Sequence, residues 1–160
     1  YNIRNYTINE DGMVDIDGDV SLCNKGLTQL PLKFGRVNGY FDCANNQLIT
    51  LEGSPQWIGE DFYCSHNLLK TLEGGPKIVL KYYSCHNNKL VNFKGFPEDY
   101  EGGLNLFNNS FDELISNISQ EKWNKFIYWC NEYDAIDDQG KVIPERMEEV
   151  YNKLGLKYED

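Results

Sequence analysis

Between residues 20 and 114 the apolar positions return on a fixed beat. Phe41, Phe62, Tyr83 and Leu104 stand 21 residues apart, and two places after the first three come Cys43, Cys64 and Cys85. Three places further on lie Asn46, Asn67, Asn88 and Asn109, followed by Leu48, Leu69, Leu90 and Phe111, then by Leu51, Leu72, Phe93 and Leu114. Gly53, Gly74 and Gly95 keep the register, as do Pro55, Pro76 and Pro97. Upstream, Val20, Leu22, Leu27 and Leu30 fit the same frame, with Lys25 at the Asn place. Self-similarity at this period predicts a solenoid whose units bury their apolar edges only against one another.

Within one unit the columns have separate physical tasks. Phe41 and Cys43 point inward from a short strand, because side chains along a strand alternate between its faces. Asn46 turns the chain off that strand, and Leu48 and Leu51 fill the next corner. Gly53 and Pro55 make a return too tight for a helix of several turns. Val37, Ile58, Val79 and Tyr100 are then expected to plug the convex side. A solenoid also needs covered ends, since an open terminal unit exposes core and strand edge. Tyr6–Ile8 and Met13–Ile16 flank Asn9-Glu-Asp-Gly12, a hairpin pattern with glycine in the turn. Asp112 is placed to N-cap a short helix through Ile118, and Ser119 to start a longer one through Tyr133, with Trp123, Phe126, Ile127 and Cys130 on its apolar face. Gln139-Gly140 reads as a turn. Pro144 opens a last helix with Met147, Val150, Tyr151 and Leu154 as its stripe, and Gly155 ends it. The chain thus divides into a β cap at 1–18, a solenoid at 19–114 and a helical cap at 115–160, within one structural domain.

Phe-x-Cys-x-x-Asn-x-Leu, as in residues 41–48, resembles the leucine-rich repeat pattern L-x-L-x-x-N-x-L, with Phe and Cys in the two leading Leu places. The resemblance covers roughly residues 19–114. It implies an α/β repeat solenoid, leucine-rich-repeat-like, with short parallel strands, an N-terminal β-hairpin cap and a C-terminal helical cap. It also implies that the Asn side chains bond backbone groups of adjacent coils as a stacked ladder. The Asn-Asn-x-Leu units, Gly-x-Pro returns and the segment Trp-Asn-Lys-Phe-Ile-Tyr-Trp-Cys-Asn-Glu-Tyr together resemble small leucine-rich-repeat proteins of uncharacterised function from large tailed bacteriophages. That likeness implies a cytoplasmic protein acting inside an infected bacterium, and it assigns no catalytic residue.

Charge narrows the range of partners. The net charge of −10 is uneven: residues 1–18 hold one base and four acids, 19–111 eight and nine, and 112–160 six and twelve. A near-neutral solenoid between acidic ends lacks the basic stripe that nucleic acid requires, so no direct nucleic-acid binding is expected. No run approaches the ~20 apolar residues of a membrane span, and the first residues have no signal-peptide character. The initial Tyr1 suggests that a segment precedes it in the native chain. Five cysteines, Cys23, Cys43, Cys64, Cys85 and Cys130, read as small buried hydrophobes in a reducing cytoplasm rather than as disulfides.

Candidate chemistry is thin. Cys43, Cys64 and Cys85 with His66 and His86 have the residue types of a metal site. The thiols, however, form an inward ladder that spreads its ligands, and His86 follows Cys85 onto the opposite face. Asp15, Asp17 and Asp19 beside Gly18 hint at calcium but lack the EF-hand frame; alternate Asp residues read more simply as a polar strand face. Glu132, Asp134, Asp137 and Asp138 read as a solvated loop. No nucleophile stands beside a base, and no phosphate-binding glycine loop is present. Neither catalytic residue, metal nor cofactor is therefore assigned.

What remains is a surface. Strand alternation places Asp19, Ser21 and Cys23, then Tyr40, Asp42 and Ala44, then Asp61, Tyr63 and Ser65, then Tyr82, Ser84 and His86, then Gly103, Asn105 and Phe107 on the concave face. Tyr40, Asp42, Asp61, Tyr63, Tyr82, Ser84, His86, Asn105 and Phe107 are the candidate contacts. Tyr loses little entropy on ordering and recurs in interface hot spots, although β-propensity alone also favours Tyr on exposed strands. The expected function is a non-enzymatic interaction module that binds and inhibits or redirects a host bacterial protein, such as a defence enzyme. A sponge for a nucleotide signal is the alternative, opposed by the scarcity of cations for phosphate, and an enzyme is a third. The C-terminal helices are a second candidate contact surface, since Tyr128 and Trp129 fall off their apolar stripe.

Overall fold

The computed structural model describes residues 3–159; Tyr1, Asn2 and Asp160, at the outermost ends of the 1–18 and 115–160 segments, lie outside the described residues. The coils wind as a parallel β-solenoid of about four turns, each advancing the chain 21 residues between paired strands. One sheet runs β1 (Tyr6–Ile8), β2 (Val14–Ile16), β4 (Phe34–Val37), β6 (Trp57–Ile58), β8 (Ile78–Val79) and β10 (Asp99–Tyr100). The other runs β3 (Val20–Ser21), β5 (Phe41–Asp42), β7 (Phe62–Tyr63), β9 (Tyr83–Ser84) and β11 (Leu104–Asn105). Every pairing is parallel except β1 with β2, the hairpin foreseen at the N-terminus. Gly12 takes its positive φ of 75°, and the Asn9 side-chain carbonyl accepts the N–H groups of Asp11 and Met13.

The first sheet departs from expectation. Val37, Ile58 and Val79 are fully buried as foreseen, but each sits on a two- to four-residue strand bonded to the next coil. One inward apolar residue per return, Ile58 or Val79, suffices for parallel pairing once neighbouring coils are aligned. Among the described residues helices are confined to the C-terminal segment, where α1 (Asp112–Ser116), α2 (Trp123–Glu132) and α3 (Pro144–Lys153) follow the last coil. A 3-10 turn at Gln120–Lys122 leads into α2, so Ser119 starts that turn rather than the helix itself.

Between the sheets the columns stack as solid rows. Leu22, Cys43, Cys64, Cys85 and Leu106 form one row, all with no exposed surface. Rings form a continuous spine beside them. Centroids are 5.0 Å apart for Phe34–Phe41, 6.1 Å for Phe41–Phe62, 5.1 Å for Phe62–Tyr83 and 5.7 Å for Tyr83–Phe96. The spine continues through Phe93 to Phe111 at 4.5 Å and to Phe126 of α2 at 5.8 Å. Aromatic pairs of this kind add roughly 0.5–1.5 kcal/mol each beyond their buried area, so the helices belong to the same core as the coils.

The polar counterpart of the spine is the asparagine ladder. The Asn67 amide donates to the carbonyls of Cys43, Cys64 and Ser65 and accepts the N–H of Leu48. Asn46 one coil before, and Asn88 and Asn109 one and two coils after, repeat the arrangement. Just before each rung the backbone turns left-handed, at Asn24, Asn45, His66, Asn87 and Asn108, with φ between 53° and 59°. Asn tolerates that region better than other side chains, which explains the Asn-Asn doublets. Glycine carries the return: Gly95 has φ 79°, and a Cβ there would stand 2.2 Å from the Glu73 nitrogen.

Asp112 closes the ladder in an unforeseen way. It is not the N-cap of α1, a place held by Phe111. Its carboxylate instead reaches back to accept the N–H groups of Asn108, at 2.7 Å, and Asn109, at 3.1 Å. In earlier coils the equivalent donors of Asn45 and Asn46 reach the carbonyls of Ser65 and His66. No further coil follows Asn109, and one aspartate supplies the missing acceptors.

Two outcomes test this account. Asn67→Ala orphans the buried Leu48 N–H and takes one of two donors from each of the Cys43, Cys64 and Ser65 carbonyls, and should lower unfolding stability by roughly 1–3 kcal/mol; a denaturation midpoint equal to wild type sinks the ladder argument. Asp112→Ala should cost about 1 kcal/mol, and should raise hydrogen exchange first at the amides of Asn108 and Asn109.

Candidate functional site

The outer face of the second sheet collects the candidate residues in three rows. Asp19, Tyr40, Asp61, Tyr82 and Gly103 form the first, and Ser21, Asp42, Tyr63, Ser84 and Asn105 the second, as the strand register requires. Ala44, Ser65, His86 and Phe107 continue into the third.

Much of this surface is fixed by its own bonds. Asp19 accepts the N–H of Tyr40 at 3.1 Å, and Asp61 that of Tyr82 at 2.9 Å, so Asp alternates with Tyr along the first row and ties one coil to the next. The second Asp61 oxygen accepts the Tyr63 hydroxyl at 2.9 Å, and the Tyr63 and Tyr82 rings stand 6.1 Å apart. Burial and then the Asp61 hydrogen bond push the Tyr63 hydroxyl up to about 12. Asp42 and Asn105 each accept an N–H two residues on, from Ala44 and Phe107. The result is a half-buried strip of phenol rings in which carboxylates hold the backbone at Tyr40 and Tyr82 and the hydroxyl of Tyr63.

Not every candidate is open. Ser84 is 1% exposed, and its hydroxyl lies 2.8 Å from Nδ1 of His86; it positions the imidazole instead of meeting a partner. Ala44 and Ser65 are buried as well. Small side chains in these rows are covered by larger neighbours, an effect that strand alternation alone does not reveal. His86 stands edge-on to His66 at 5.0 Å. Burial, followed by the charge of His66, lowers its pKa below the ordinary value. His66 in turn contacts Asn87.

The suspected metal groups are otherwise employed. Asp15 accepts the Arg36 N–H at 2.8 Å, and Asp17 the Asn38 amide at 3.0 Å; with Asp19, three carboxylates bind the coil 21 residues on. Asp137 accepts the N–H groups of Gln139 and Lys141, which hold its carboxyl below the usual range, and Asp138 pairs with Lys94 at 2.8 Å. Among the described residues no three His, Cys, Asp or Glu side chains are grouped to hold a metal ion. The thiols of Cys43, Cys64 and Cys85 are raised well above their ordinary value by burial.

At its C-terminal end the face runs into a cleft of about 670 Å³, walled by Tyr82 and Phe107 on one side and by Trp123 at the start of α2 on the other. Phe107 is 48% exposed and lies edge-on to Trp123 at 5.5 Å. Tyr100 forms a further wall and donates its hydroxyl to the Asn124 side-chain carbonyl. Beyond that bond a second groove of about 540 Å³ runs along Phe96, Glu98, Tyr128 and Glu132. Repeat register locates Tyr82 and Phe107, but the approach of α2 to the last coil has no signal in the period.

His86 supplies a pH test. Its folded pKa lies below the unfolded value, so the unfolded chain binds more protons as pH falls, and stability is full above the unfolded pKa and declines toward the folded one. Wild type should lose more stability than His86→Asn between about pH 7.5 and 5.5, a window around the ordinary His value; parallel curves overturn this assignment. No protein family, curated protein or solved structure matches the chain.

Proposed function

We propose that the chain is a non-enzymatic protein-interaction module of leucine-rich-repeat type, with the hairpin and the C-terminal helices as its caps. The observation that carries this reading is the strip of Tyr40, Tyr63, Tyr82 and Phe107, whose backbone N–H groups at Tyr40, Tyr82 and Phe107 are held by Asp19, Asp61 and Asn105 and whose Tyr63 hydroxyl is held by Asp61. Side chains already ordered lose little entropy on binding, which favours protein recognition by aromatic groups. The partner is a host bacterial protein such as a defence enzyme, which the chain inhibits or redirects; the likeness to phage repeat proteins supports that target. Five free thiols, four of them buried, suit a reducing cytoplasm. No described helix is long and apolar enough to cross a membrane. The nucleotide-sponge alternative gains nothing from the cleft, whose lining carries Glu101 and Glu121 and no cationic side chain to meet phosphate.

Affinity capture from bacterial lysate tests this function, comparing wild type with the triple variant Tyr63→Ala/Tyr82→Ala/Phe107→Ala. Three truncated hot-spot residues should lower affinity by at least about a hundredfold, so a stoichiometric partner should vanish. A partner retained by the triple variant moves the contact to the C-terminal helices. No partner with either protein overturns the interaction reading.

A further inference from the structure

The two grooves at the end of the solenoid differ from the rest of the face in charge and in depth. The first is lined by four aromatic side chains, Tyr82, Tyr100, Phe107 and Trp123, with Glu101 and Glu121 at its rim. The second adds Tyr128, which is 54% exposed, with Glu98 and Glu132. Neither lining includes Lys or Arg; the nearest cation to these carboxylates that the structure pairs is Lys77, 3.9 Å from Glu98 on an exposed surface. Tyr100 and Asn124 belong to both linings, so the grooves adjoin across a single hydrogen bond.

The first groove exists because the repeat breaks there. Gly103 takes the place that Tyr40, Asp61 and Tyr82 fill in earlier coils, and a Cβ at Gly103 would meet the Tyr82 ring at 3.1 Å. Absence of that side chain bares the edge of Tyr82 and opens the cleft toward Trp123. The Trp123 indole N–H is already spent on the Ile118 carbonyl at 2.9 Å, which fixes the ring. A fixed group of electron-rich rings rimmed by carboxylates is complementary to an organic cation and hostile to an anion. Among protein cations the guanidinium fits best: it stacks flat on rings and offers five N–H donors to carboxylate and amide oxygens. The chain makes that contact within itself, where the Arg36 guanidinium lies 3.4 Å over the Trp57 ring.

We infer that the cleft between Tyr82, Phe107 and Trp123 receives an arginine of the partner protein, and that the adjoining groove takes the basic segment on which that arginine lies. The inference rests on the protein-interaction reading and deepens it by naming the partner's chemistry. The net charge of −10 draws such a segment in at long range.

The test uses a short Gly/Ser peptide with one central arginine, its citrulline counterpart of the same shape without charge, and tetramethylammonium, each titrated into the labelled full chain and followed by NMR. Arginine should shift the Trp123 indole and the Gly102 and Gly103 amides, and citrulline should bind about tenfold more weakly. Glu101→Gln/Glu121→Gln should also weaken the arginine peptide about tenfold with an unchanged melting temperature, since both carboxylates are exposed. Equal binding of citrulline overturns the inference in favour of an apolar groove. Tetramethylammonium binding without arginine binding overturns it in favour of a small quaternary ammonium ligand, and no shift with any probe overturns it outright. Those failures stay distinct from failure of the interaction reading. A captured partner that the triple variant loses and the double glutamine variant keeps leaves the face as a binding surface while removing arginine from its recognition.

Discussion

Everything in this molecule depends on a side-chain amide repeated every 21 residues. A turn that leaves a parallel strand abandons carbonyls inside the core, and buried carbonyls must find donors. Asn67 supplies donors to its own coil and to the preceding one, and takes an N–H from the preceding coil as well. Because one residue serves two coils, insertion or deletion within a coil would break two turns at once, which is why the period admits no drift. The left-handed residue before each rung follows from the same geometry, as it swings the amide into the core. Where Lys25 replaces a rung, the first coil has no predecessor to serve, and Asn46 from the next coil covers the Lys25 N–H and the Leu22 carbonyl. Where the ladder ends, Asp112 provides the acceptors that a further coil would have offered.

The ladder fixes spacing; the aromatic spine fixes the ends. Rings that run from Phe34 through Tyr83 to Phe93 continue into Phe111 and Phe126, so the core passes into the helices without a seam. Polar ties follow the same junction: Asn131 donates to the Phe93 carbonyl at 2.9 Å, and Asn92 donates to the Asp137 carbonyl at 3.3 Å. Gly140 packs so closely on Val91 that a Cβ would stand 2.9 Å from it. Helices anchored at Phe93, Asn92 and Val91 cover the apolar corner of the last coil. They stand away from the outer face of β11, and the cleft is the gap that remains.

Periodicity made the coils legible and left their surroundings dark. The inward rows of Phe41, Cys43, Asn46, Leu48 and Leu51 follow from counting, and so does the apolar stripe of α2, where Trp123, Phe126, Ile127 and Cys130 are all buried. The sheet that holds Trp57–Ile58 and Ile78–Val79 is not legible in the sequence, because these strands are too short to carry an alternation signal of their own. Doublets such as Asn45-Asn46 carry the left-handed column in their first residue, since Asn tolerates that backbone region better than other side chains. Ser84 faces outward by alternation yet is covered, because alternation gives direction and not cover. Nothing in the period marks Tyr100, Glu101, Glu121 and Trp123 as neighbours, since that meeting depends on where α2 returns.

The same bookkeeping of acceptors decides where charge remains for recognition. Asp19, Asp42 and Asp61 lie on the outer face, yet each already accepts a backbone N–H, and Asp61 a phenol as well. A carboxylate oxygen committed in this way is held in one place, so these charges are oriented by the fold and not free to follow a partner. The glutamates at the C-terminal end are on longer stems and stand outside the ladder of coil-to-coil bonds. The middle of the face is therefore a rigid aromatic plate whose carboxylates are fixed by the fold, and the glutamates on longer stems are gathered at the cleft. A partner with a flat apolar surface would be expected to lie along the plate, and a basic side chain at its margin would set the register in which it docks.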